Sequence, residues 1–91
     1  MTTPLTDAEL QMLVTAARDQ MADVITRHLR TVLMPQHTGT EKEQARIVAD
    51  DCGIDLIHIV FLLGGDSAKL STHKLLEIAI RMRLRPVFTL T

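Results

Sequence analysis

The feature that most constrains this chain is a helix signal too long for the small core that 91 residues can build. Thr6-Asp7-Ala8-Glu9 is a capping box, in which the Thr oxygen takes a free amide and the Glu reaches back. Apolar positions then recur at Leu10, Val14, Ala17, Met21 and Val24, at alternating spacings of four and three. His28 and Val32 continue this seam, and Leu13, Ile25, Leu29 and Leu33 widen it. Pro35 sets the end near Leu33 or Met34, because proline lacks an amide proton and its ring disturbs the preceding turn. A helix over 7–33 spans roughly 40 Å at 1.5 Å per residue. Either it breaks, or it lies wholly on its own core, or its end protrudes and pairs with a second copy. Heptad-like spacing favours the last, so Leu10, Val14, Ala17, Met21 and Val24 are the expected residues of a homodimer.

Composition narrows the class. A hydrophobic share of 46% with a net charge of −1 is unlike a disordered chain, which combines low hydrophobicity with high charge. The single Cys52 excludes a disulfide scaffold and fits a reducing compartment, so the expected location is cytoplasmic. No apolar run approaches the roughly 20 residues that cross a bilayer. The start, MTTPLTDAEL, lacks the basic and apolar stretches of a secretion signal. With no Trp or Tyr and only Phe61 and Phe88, stacking platforms for single-stranded nucleic acid are not expected.

Further along, Pro35–Gly39 reads as a loop, and Thr40-Glu41-Lys42-Glu43 is a second capping box. It opens a short helix through Ile47, Val48, Ala49 and Cys52, which Gly53 ends in a left-handed conformation. Asp55 is placed to cap the next element. That element, Leu56 to Leu63 (LIHIVFLL), is apolar throughout, so a buried strand and a buried helix read alike. Gly64-Gly65 ends it. Ser71 caps a further helix carrying Leu75, Leu76, Ala79, Ile80 and Met82, and Pro86 stops it. Val87–Thr91 has the content of a short terminal strand.

Taken together, Ala49, Cys52-Gly53-Ile54-Asp55, Ile59, Leu62-Leu63-Gly64-Gly65, Leu70-Ser71 and Leu75–Arg85 form a pattern over about half the chain. This pattern resembles the Cro-type, phage-repressor-like helix-turn-helix family, in its antitoxin-regulator-like subgroup. With the long N-terminal amphipathic helix read from its periodicity, the resemblance implies a mainly α fold in one domain, with a helix-turn-helix-like bundle over 40–91 and a short C-terminal strand. It makes 41–52 the first helix of the motif and 55–63 the recognition helix. The alternative is an α+β fold with a right-handed βαβ unit over 54–90.

The chain departs from that family where DNA would be read. A recognition helix offers polar side chains to base edges. Here the outward positions are Leu56, Ile57, His58, Val60 and Phe61, of which only His58 can hydrogen-bond a base. Charge points the same way: residues 41–66 total −4 and residues 67–91 total +4. Side by side, the two blocks would simply attract; apart, they make one acidic and one basic face. Phosphate contact needs the opposite sign to that of 41–66. The expected function is therefore a small transcription-regulation protein with a degenerate helix-turn-helix. It would bind a protein partner, as an antiactivator or antitoxin does, through Leu56, Ile57, His58, Val60 and Phe61. The alternative is a dimeric DNA-binding repressor, with Arg46, His58, Lys69, Lys74, Arg81, Arg83 and Arg85 as its contacts.

Signals for chemistry are weak. His28, His37, His58 and His73 form no HxxxH or ExxH pair, so no metal site is expected. Cys52 beside Asp50 and Asp51 reads as a small core residue, not a reactive thiol. Gly64-Gly65-Asp66 lacks the Lys and Ser/Thr of a phosphate loop. Neither an enzymatic role nor a cofactor is expected.

Overall fold

In a computed structural model, residues 3–84 are described; the expected strand 87–91 and Arg85 lie outside them. Four α-helices make up the fold: α1 (Asp7–His28), α2 (Glu41–Cys52), α3 (Leu56–Leu63) and α4 (Thr72–Arg81). Three begin as the sequence dictates. Thr6 accepts from the Glu9 amide, Thr40 from the Glu43 amide and Ser71 from the Lys74 amide, at 3.2, 3.2 and 3.0 Å. Asp55 holds the N-cap position of α3, but its side chain makes no capping hydrogen bond, contrary to expectation.

The segment 56–63 is helical, which overturns the βαβ alternative; among the described residues there is no strand. The physical reason lies in its two ends. Gly53, at φ +69°, closes α2 in the left-handed conformation, with the Ile54 amide donating to Ala49 O at 2.9 Å. Gly65, at φ +78°, lets the Asp66 amide return to Phe61 O at 2.8 Å. Both turns use up carbonyls that a helix end leaves free. Arg83 plays the same part after α4 at φ 62°, a conformation uncommon for a side chain of that size.

After His28 the first helix continues as one wide turn, Leu29–Leu33, then a 3₁₀ turn, Met34–Gln36. Pro35 cannot donate to the carbonyl of Thr31, and the widened turn precedes that break. The buried side chains form one cluster: Ile25 and Leu29 of α1, Val48 of α2, Ile59 of α3, and Leu75 and Ile78 of α4 lie at its centre.

The first helix does not lie wholly on this core. Ala22, Ile25 and Leu29 are its buried positions, and residues 7–16 are exposed without exception. The molecule is accordingly long, 56 × 22 × 18 Å, with a radius of gyration of 15.1 Å. A compact chain of this length has about 12 Å. The buried face is also not the seam of Leu10, Val14, Ala17, Met21 and Val24. At 3.6 residues per turn the two faces are rotated by roughly 90°. Ala17 and Met21 are half-buried on the shoulder between them, while Leu10, Val14 and Val24 are exposed.

Candidate functional site

The α2–Gly53–α3 turn fixes what α3 shows. Ile59 and Leu62 point into the core, and Leu56 and Phe61 are half-buried against it. Ile57 and Val60, three apart on one face, are 52% and 49% exposed. The expected patch of four exposed apolar side chains is therefore corrected to two, with Leu56 and Phe61 forming its floor. His58 is half-buried on a different side of α3.

That side opens on a small cleft of about 190 Å³ between the start of α3 and the length of α4. Asp55, His58, Lys74, Glu77 and Arg81 line it. Glu77 organises its charges: one carboxylate oxygen accepts from Lys74 Nζ at 3.1 Å and the other from Arg81 Nε at 3.3 Å. The hydrogen bond and charge of Lys74, then those of Arg81, hold the Glu77 carboxyl below its ordinary range.

The expected DNA contacts are thus brought together only in part. His58, Lys74 and Arg81 meet at this cleft, with Lys74 and Arg81 already shared by one carboxylate. Arg46 is exposed on α2, beside Lys42, Glu43 and Ile47. Lys69 lies in the connection between α3 and α4, its ammonium 5.1 Å from the centre of the Phe61 ring. Arg83 is exposed after α4. Between the acidic block 41–66 and the basic block 67–91, no ion pair forms among the described residues. The blocks nonetheless touch at the end of α2. Arg81 Nη1 lies 3.1 Å from where a Cβ on Gly53 would stand, and the charge of Arg83 reaches Cys52. Cations there complement the negative end of α2.

Cys52 is half-buried rather than fully buried. Burial, and then the Asp51 carboxylate, push its thiol up, against a smaller opposing effect of Arg83. A raised thiol is a poor nucleophile at neutral pH. Among the described residues no group of three or more His, Cys, Asp or Glu side chains is placed to hold a metal ion. Nor is any of their helices long and apolar enough to cross a membrane.

Arg18 of α1 and Arg30 of the wide turn that follows it, read from the sequence only as charges, prove to position α3 and α4. Arg18 donates through Nη2 to the carbonyls of Ser67 and Leu70. Arg30 Nη2 donates to Leu63 O, at the end of α3, at 2.8 Å, and its Nη1 pairs with Glu41 at 3.3 Å. Together they tie both ends of the 63–70 connection to α1. The signal for Arg18 was present in the sequence: it lies four, seven and eleven residues before Ala22, Ile25 and Leu29, on the face that α1 buries.

Compared with family models, with curated proteins and with solved structures, this chain matches none.

Proposed function

We propose that this chain is a small transcription-regulation protein that works by binding another protein through α3. The observation that carries this reading is that α3, the helix standing where a recognition helix would, presents Ile57 and Val60 to solvent. It carries no Lys or Arg at all. Apolar side chains read no base edge beyond a thymine methyl, and a helix without cations gains nothing from phosphates. The partner suited to this surface has an apolar patch with basic residues around it, because Asp50, Asp51 and Asp55 lie close by in the chain and are exposed. Antiactivators and antitoxins act in this way.

One feature favours the second reading, a dimeric DNA-binding repressor: two helices joined by a short turn through Gly53. The Ile57→Asp/Val60→Asp double variant separates the two. Both positions are exposed, so its thermal midpoint should stay within a few degrees of wild type. A protein captured from the native host by wild type and lost with the double variant supports the proposal. Equal capture by both overturns it. A shift of host DNA fragments by wild type at low salt, fading steeply as salt rises, favours the repressor instead.

A further inference from the structure

We infer that α1 pairs antiparallel with α1 of a second copy of this chain, through the seam that its own core leaves uncovered. The helix has two apolar faces, and one is already used: Ala22, Ile25 and Leu29 are at most 3% exposed. The other is exposed toward both ends of α1, with Ala17 and Met21 half-buried between them. Leu10, Val14 and Val24 are 51%, 48% and 53% exposed, and Val32 in the wide turn is 43% exposed. An apolar stripe of this length on a solvent face marks an interaction surface. Its spacing of four and three is that of helices packed along one another, whereas a partner met by a single helix end needs no such continuity.

Charge selects both the occupant and its direction. Glu9, near the start of α1, and Arg27, near its end, flank the seam on the same side. In an antiparallel pair the same flanks meet, so Glu9 lies across from the partner's Arg27 at both ends of the interface. In a parallel pair opposite flanks meet, so Glu9 and Arg27 would not face each other and the charges would go unmatched. The α1 surface is thus complementary to itself turned end for end, which is what a two-fold interface requires. Ala17, small and half-buried, falls near the midpoint and allows close approach. Each protruding arm, residues 7–16, then covers the partner's exposed Val24. The inference stands apart from the reading of α3 and does not need it.

The test is sedimentation equilibrium on the full chain at about 100 μM, joined to cross-linking. Wild type should have twice the 10.2 kDa of one chain. Leu10→Asp/Val14→Asp, at two exposed positions, should be a monomer with an unchanged helical spectrum. In a Cys52→Ala background, Glu9→Cys and Arg27→Cys chains should cross-link to each other with a short bismaleimide far more than either does alone. Predominant cross-linking of Glu9→Cys chains with themselves would overturn the antiparallel pairing. A wild-type monomer would overturn the inference, including the case in which residues 85–91 of the same chain protect the arm. So would a dimer that survives Leu10→Asp/Val14→Asp.

Discussion

At the residue scale, the side chain that does most to unite the fold is charged. Arg18 has a side chain only 17% exposed and serves two carbonyls, Ser67 O and the O of buried Leu70. A guanidinium suits this place because its donors fan out in one plane and reach two acceptors at once. Removing it takes the partner from the carbonyl of buried Leu70, while Ser67 O keeps the Leu70 amide at 3.0 Å. Arg18→Ala should therefore cost about 2 kcal/mol, the range for hydrogen bonds to a charged group. Arg18→Lys should recover less than half of that, since an ammonium is a point charge that cannot span both acceptors. Urea unfolding measures this as a lower midpoint at unchanged slope. An Arg18→Ala variant as stable as wild type would show that the 63–70 connection holds to α1 without it.

At the element scale, α4 carries a charge pattern with a definite pH signature. Glu77 lies three residues after Lys74 and four before Arg81, and binds both. These bonds hold its carboxyl below the ordinary glutamate value in the folded chain. A depressed carboxylate stabilises the fold above its unfolded value, and that contribution disappears as pH falls through the folded value. The thermal midpoint of wild type should fall as pH drops below about 4.5, and part of that fall should be missing in Glu77→Gln. At neutral pH Glu77→Gln should be slightly the less stable, and the difference should close as pH falls. Identical acid limbs for the two proteins would show that the ion pairs contribute nothing measurable, as many surface pairs do.

The elements also show which parts of the fold the sequence carries openly. Helix starts were legible because a cap is a local device: Thr6, Thr40 and Ser71 each need only the amide three residues on. The end of α2 was legible through Gly53 for the same reason. The conformation of 56–63 was not, since every position but His58 is apolar and no period survives in LIHIVFLL. Its helical spacing appears only in the burial pattern, with Ile59 and Leu62 inside and Ile57 and Val60 outside. That same uniformity made the candidate interface look twice its size, because Leu56 and Phe61 serve the core. On α1 the sequence pattern was clearest on the face that the core does not use. The buried face is interrupted by Arg18, whose value lies in carbonyls about fifty residues away. The spacing shows that Arg18 lies on that face, but nothing local identifies carbonyls so distant.

At the scale of the whole molecule, the arm poses a problem of stability. Residues 7–16 make up less than half of α1, and none of them is buried among the described residues. A helical stretch under ~12–15 residues is marginal in water, and packing of an apolar face supplies most helix stability in proteins. The arm of a lone chain therefore has the Thr6 cap and its attachment to the packed half of α1 to keep it helical. Pairing with a second copy would add the missing packing, so arm order and assembly should be coupled. Hydrogen exchange makes the coupling visible, because it reports local opening amide by amide. At high concentration, wild-type amides at 11–16 should exchange slowly. In Leu10→Asp/Val14→Asp they should approach the rate of an unstructured peptide, while those of Ile25 to Leu29 keep their protection. The contrast matters more than either rate alone. Aspartate within a helix lowers propensity by only a few tenths of a kcal/mol per position. A collapse of arm protection well beyond that amount must come from lost packing, and the seam is the face through which residues 7–16 would pack. Arm amides that stay protected in the variant would mean that the arm holds its helix unaided, and that its apolar stripe has no part in keeping it ordered.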